Sequence, residues 1–231
     1  MKKSLPLLKS LSGIVCLIGI WQVTAGSQSL PKFMLPSPVD VVMAGKNNWQ
    51  IQSTTPLPDW EVSIQKADFL GEIGLDYYWA KDASAYPRQR KIFQAFMAYA
   101  YTTHTLANIH TKGAEKDVLA ILKYYRTQDP LIIHWYSGPL DLVDDFLDLG
   151  CFFTISVDAG YSPLTTQLIH HLPIDRILTE TDGPSSLEWI GHGYGWSHQI
   201  LRILDILSQQ KGLSFDQMKD QVYQNYLSLN L

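Results

Sequence analysis

Cysteine is nearly absent: Cys16 and Cys151 are the only two in 231 residues. That count excludes a disulfide framework and any zinc cluster built from several thiolates, and it suits a chain that works in a reducing cytoplasm. Positive charge is also in short supply. A formal net charge of -4 leaves no globally basic surface, so contact with nucleic acid would depend on local Lys and Arg or on cations held against phosphate. Beyond the first 26 residues no stretch approaches the roughly 18 apolar residues that a membrane helix needs, which argues against a membrane transport component. Internal repeats and low-complexity tracts are lacking as well.

What is present is ample apolar material, 46% of the chain, enough for one α/β domain with an appendage. The first quarter differs in character. Lys2, Lys3 and Lys9 surround a short apolar run from Gly13 to Trp21 that two glycines interrupt. This stretch reads either as a signal peptide with a weak cleavage context at Ala25-Gly26-Ser27 or as a segment, residues 1–26, with weak membrane association. Residues 46–65 are polar, with Pro56 and Pro58 close together, and read as a linker. The main domain is expected over 66–231.

In that domain short apolar runs alternate with helical ones. Strands are expected at Phe69–Leu75, Leu106–His110, Leu131–Tyr136, Cys151–Val157 and Arg176–Thr181. Between them, Arg88–Tyr101 places Ile92, Phe93, Phe96, Met97 and Ala100 on one helical face, and Ala114–Tyr125 does so with Val118, Leu119, Leu122 and Tyr125. A helix over Leu140–Leu149 stops at Gly150, and Ser214 with Gln217 can form a capping box for the last helix. Strands separated by helices of this length imply parallel βαβ units. The fold expected is a TIM-type (β/α) barrel, incomplete in its N-terminal part.

In such a barrel the C-terminal strand ends converge on one face, where chemistry gathers. Glu72, His110, His134 and Asp182 each fall at a different strand end. Taken singly each has a plain reading: a strand-end histidine held in a hydrogen bond, Glu72 paired with a basic neighbour, Asp182 capping a turn before Gly183-Pro184. Jointly, two imidazoles and two carboxylates at one mouth suit one or two divalent cations. His104, His170, His171, His192 and His198 lack this placement, although the Gly191–His198 loop is rich in glycine and aromatic residues and could line the mouth.

The wording of these segments resembles a known family from about residue 66 to 231. Gly71-Glu-Ile-Gly-Leu-Asp76, Ile109-His-Thr-Lys-Gly-Ala114, Ile133-His-Trp-Tyr-Ser-Gly138 and Pro173-Ile-Asp-Arg-Ile-Leu-Thr-Glu-Thr-Asp-Gly-Pro184 are similar, in order and spacing, to the motifs of TatD-type DNases of the amidohydrolase superfamily. The resemblance implies a metal-dependent hydrolase acting on DNA by metal-activated water, with Mg, Mn or Zn as cofactor. By it, Glu72 would bridge the cations, His110 and His134 would complete one site, and Asp182 would be both a metal ligand and the catalytic group. Lys112, where the family has Arg, would contact a substrate phosphate. Glu180 would orient a ligand or pair with a basic neighbour.

Family members open with a strand ending in a His-x-His pair, whereas no histidine precedes His104 in this sequence. Residues 1–45, with Leu30-Pro-Lys-Phe-Met-Leu-Pro-Ser-Pro-Val-Asp-Val-Val42, instead resemble the opening of an ABC transporter permease. Three readings stay open: a fused or inactive remnant, a folded relative that uses the Glu72/His110/His134 site alone, or a membrane-tethered hydrolase.

Overall fold

A computed structural model describes residues 69–125, 129–183, 186 and 195–229, all of which fall in one compact unit, Glu61–Leu231. The leader, the linker and the permease-like wording of residues 1–45 lie outside the described residues. Strand and helix alternate as β1 (Phe69–Gly74), α1 (Tyr86–Thr103), β2 (Leu106–His110), α2 (Glu115–Tyr125), β3 (Leu131–Ile133), α3 (Val143–Asp148), β4 (Phe152–Ile155), α4 (Pro163–His171) and β5 (Ile177–Thr179). Two helices follow, α5 (Gln199–Lys211) and α6 (Phe215–Leu227). The strands pair in parallel in chain order, β1 to β5. Each crossover therefore steps one place along the same sheet, as in the wall of a TIM-type barrel.

Local chemistry sets the helix limits. α1 begins with a proline in its first turn and stops at His104, which adopts the left-handed conformation at φ 56°. Its buried face is Ile92, Phe93, Met97 and Ala100, the expected stripe apart from the half-buried Phe96. Leu140–Leu142 is a 3-10 turn that leads into α3, and Gly150 beyond it takes φ 78°. Ser162 caps α4 through the Thr165 amide, and Ser214 with Gln217 forms the complete capping box of α6. Apart from β2, the strands are shorter than the runs expected for them.

Strand side chains alternate between two faces. One face, with Ile109, Ile133, Phe153, Ile155 and Ile177, is fully buried. There Phe153 meets Phe146 of α3 and Tyr136 edge-on, at 6.3 and 5.6 Å between ring centres. The other face changes character along its length. Near the strand starts it carries Leu106, Ile132, Phe152 and Leu178, which cluster with Leu229 and Tyr226 at the chain's far end. Near the strand ends the same alternation presents His110, His134, Ser156 and Glu180. An apolar floor therefore lies beneath a polar mouth.

No helix among the described residues is long and apolar enough to cross a membrane. Replacing Phe153 with Ala should remove the ring at the centre of the aromatic triad and lower unfolding stability by about 3–5 kcal/mol. Urea denaturation of the two proteins checks this.

Candidate metal centre

The edge on which the polar residues stand is held by ladder hydrogen bonds that continue past the strands. The His134 amide donates to the Ile109 carbonyl at 2.9 Å, the Glu180 amide to Ile155 at 3.1 Å, and the Leu75 amide to His110 at 3.1 Å. Gly74, at φ 156°, lets β1 run so close to β2 that an added Cβ would lie 2.0 Å from the His110 carbonyl oxygen. Only glycine fits there. The pairing of β1 with β2 also slips: Leu70 faces Ala107 whereas Ile73 faces Ile109, so β1 carries one extra residue. Leu70 and Ile73 are both buried despite a spacing that a regular strand would send to opposite faces. Glu72 sits within this bulge, which sets the direction of its side chain.

The result is a cavity of about 450 Å³ lined among others by Glu72, His110, Lys112, His134 and Asp182. The expected residues thus come together, though not equally. Glu72, His110 and His134 each bring one donor atom within 4.8 Å of the others. Glu72 Oε1 is the shared point, 2.6 Å from His110 Nδ1 and 3.2 Å from His134 Nε2. Asp182 stands further out, its Oδ2 4.0 Å from His134 Nε2. Lys112 donates to Ser137 Oγ at 2.9 Å and is not among the close donors. Two residues at the mouth take the left-handed backbone, Trp135 at φ 35° and Asp182 at φ 43°, a conformation uncommon outside glycine and frequent at functional sites.

Each imidazole is gripped from behind. His134 turns Nδ1 to Glu180 Oε2 at 2.6 Å, and His110 turns Nε2 to Asp76 Oδ2 at 3.0 Å. One ring nitrogen of each histidine thus meets an orienting carboxylate while the other faces Glu72. This carboxylate-imidazole pairing fixes ligand orientation around metals. Glu180, which the resemblance would have orient a ligand or pair with a basic neighbour, meets the His134 ring. Asp76 was not singled out there, although it closes the Gly71–Asp76 motif. Its other oxygen accepts from the backbone amides of Tyr78 and Trp79 at 2.9 and 2.6 Å, and Gln89 of α1 clamps its main chain from both sides. The signal available was an Asp two residues beyond a strand, a position usually filled for turn formation.

Burial by itself would depress both histidines. The surrounding carboxylates outweigh it: His110, bonded to Asp76 and Glu72, is pushed up to about 9, and His134, facing Glu180 and Glu72, also to about 9. Burial would raise Glu72, yet the hydrogen bond from His110 and the charge of His134 bring it below its usual value. Asp182 is raised, by burial first and by the Glu72 charge as well. A cluster that draws protons onto two imidazoles is one that a divalent cation can take over, and the mixed nitrogen and oxygen donors suit Zn, Mn or Mg. The donor set fits a metal ion. Of the Gly191–His198 loop, residues 191–194 lie outside the described residues, and His198 is exposed at the start of α5.

A family profile described as "TatD related DNase" matches residues 7–230, a span that also takes in most of the permease-like stretch. The uncharacterized metal-dependent hydrolase MJ1582 of Methanocaldococcus jannaschii is 27% identical over 68% of this chain and 59% of its own length. The chain thus spans about three fifths of that relative. The human 3'-5' RNA nuclease TATDN2 is 28% identical over 52% of this chain and 16% of its own length. Among solved structures, the TatD homologue YJJV of Escherichia coli superposes with a TM-score of 0.64 at 20% identity, covering 86% of this chain and 73% of that one. This likeness establishes the fold as that of the TatD barrel.

Two outcomes follow from the geometry. In the presence of EDTA, the histidines, whose ordinary value is 6.5 and whose folded value is about 9, contribute stability fully present below pH 6.5. That contribution is lost as pH rises through about 9. Urea midpoints at successive pH values should fall across this window. Separately, Asp76→Asn should weaken zinc binding by about 10–100-fold while leaving the circular dichroism spectrum unchanged, as measured by competition with a chromogenic chelator.

Proposed function

The chain belongs to the TatD-related DNase family, and on that premise we propose that it is a divalent-metal-dependent hydrolase that cleaves phosphodiester bonds in DNA. The observation that carries this reading is the convergence of Glu72, His110 and His134 within 4.8 Å. Their cavity also contains the Lys112 ammonium and the Asp182 carboxylate. The proposal is for a single cation held by those three residues, because they are the group of three close donors found among the described residues. When bound, a cation would supply Lewis acidity to a phosphoryl oxygen and acidify a water molecule.

The chain's own residues divide the remaining work. Asp76 and Glu180 hold the two imidazoles so that His110 Nδ1 and His134 Nε2 face Glu72. Asp182, with its raised proton affinity, takes the proton of the attacking water. Its left-handed backbone favours a short polar residue there. Lys112 gives a positive charge to a non-bridging phosphate oxygen, with Ser137 fixing the ammonium through the 2.9 Å hydrogen bond. Trp79 and Trp135 line the same cavity.

Purified protein dialysed against buffer should retain about one zinc or manganese per chain and degrade single-stranded DNA, the stoichiometry following from one three-donor site. His134→Ala should lose both the metal and at least about 100-fold of the activity, with Glu72→Gln as an independent second variant and circular dichroism as the folding control. Elemental analysis and a gel assay read the result. Folded wild-type protein with neither metal nor activity would mean that the motifs persist in an inactive remnant. Cleavage of RNA in place of DNA would transfer the same chemistry to the other polymer.

A further inference from the structure

A third carboxylate of the cavity takes no part in the cluster around the imidazoles. Asp158, in the turn after β4, lines the same space as Glu72, His134 and Asp182, yet it is only 8% exposed. Its Oδ2 accepts from Thr165 Oγ1 of α4 at 2.5 Å, whereas its Oδ1 is buried and has no hydrogen-bond partner. Ser156, fully buried two residues earlier, also leaves its Oγ unpartnered. Buried polar atoms are nearly always paired, and a carboxylate oxygen without a donor is costly to keep out of water.

The turn that presents this oxygen is fixed from several sides. Arg202 of α5 donates to the carbonyls of Val157 and Ala159, one on each side of Asp158, and its guanidinium lies 4.9 Å from the centre of the Tyr161 ring. The Asp158 carbonyl accepts from the Tyr161 and Ser162 amides, both at 2.9 Å. Both flanking carbonyls, the residue's own carbonyl and one carboxylate oxygen are therefore engaged, and Oδ1 alone is left to meet a ligand. A group held in this way loses little freedom when the ligand arrives.

A carboxylate accepts hydrogen bonds, so the matching group is a donor. The cavity, of about 450 Å³, is of a size that takes one small ligand unit, and the reacting phosphorus has to stand in it beside Glu72, His110 and His134. Phosphate oxygens and the sugar ring oxygen only accept. The donors nearest to the phosphorus are sugar hydroxyls, since those of the bases lie beyond the glycosidic bond. A carboxylate that accepts from a sugar hydroxyl is also how dinucleotide-binding folds hold a ribose. Resting on the hydrolase reading above, we infer that Asp158 accepts a hydrogen bond from a sugar hydroxyl of the nucleotide whose phosphodiester is cleaved, and so selects substrates that carry it. The phosphate is then held from β1, β2 and β3, and the sugar from β4. The 2'- and 3'-hydroxyls offer the same donor, and substrate choice separates them.

The test uses three 5'-labelled strands of one length and base sequence: DNA with its 3'-hydroxyl, the same DNA closed by a dideoxynucleotide, and a ribonucleotide strand closed by a 3'-deoxynucleotide. Wild-type protein should cleave the dideoxy-closed strand with a kcat/KM about 10–100-fold below the better of the other two, the loss expected for one hydrogen bond to a charged group. A fast first strand identifies the 3'-hydroxyl as the donor, a fast third strand the 2'-hydroxyl. Asp158→Ala should bring the strands within about threefold, and Asp158→Asn, the milder change for the fold, should leave about fivefold, as for a neutral pair. Thr165→Val, which removes only the bond behind the carboxylate, should keep the wild-type preference. Equal rates on all three strands with the wild-type protein, or a preference lost in Thr165→Val as fully as in Asp158→Ala, overturn the inference. If the wild-type protein cleaves no strand with any divalent cation, the hydrolase reading fails, and the subsite is then read by fluorescence anisotropy of the same strands in EDTA. Tighter binding of a hydroxyl-bearing strand that Asp158→Ala erases sustains the subsite; equal affinities, or no binding, overturn it.

Discussion

Parallel pairing is the constraint on which the rest depends. With β1 to β5 all running the same way, every strand delivers its last residue to one edge, and the residue after it is free of the ladder on one side. Glu72, His110, His134 and Glu180 come from four strands yet meet within hydrogen-bond reach. An antiparallel neighbour would send its end residue to the opposite edge. The apolar cluster of Leu106, Ile132, Phe152, Leu178 and Leu229 belongs to the same constraint, because it fills the strand starts directly below the polar residues.

The polar edge is electrostatically lopsided. Glu72, Asp76, Glu180 and Asp182 surround two imidazoles, and one buried oxygen of the half-buried Glu180 has no hydrogen-bond partner. Partly buried carboxylates are costly unless something positive compensates them. The histidines meet this demand by holding protons well above their ordinary range. A protein whose only aim was stability would have used apolar residues at these positions. A divalent cation at this edge would offset the same negative charge.

The barrel wall was legible in sequence because short apolar runs ending in polar residues alternate with 3.6-period helices. β2 was expected at its observed limits, and the Ser214 capping box was visible from two residues. The donors at the strand ends were legible for the same reason. The bulge that directs Glu72 was not, since it exists only through the register of β1 against β2. Nor was the role of Asp76: its reach to His110 spans 34 residues of sequence, and nothing local distinguishes it from an ordinary turn former. Asp182 was grouped with the candidate donors by its strand-end position and by its motif; in space its Oδ2 stands 4.0 Å from His134 Nε2, outside the tight trio.

Asp76 has a further meaning when its two oxygens are considered as a pair. One holds the amides of the loop bearing Tyr78 and Trp79, the other holds the ring of His110. A single rigid carboxylate therefore joins a surface loop to an interior donor, and thermodynamic linkage makes such a joint work equally in both directions. Any free energy by which a ligand at the imidazole orders the loop is returned in the same amount when ordering of the loop favours that ligand.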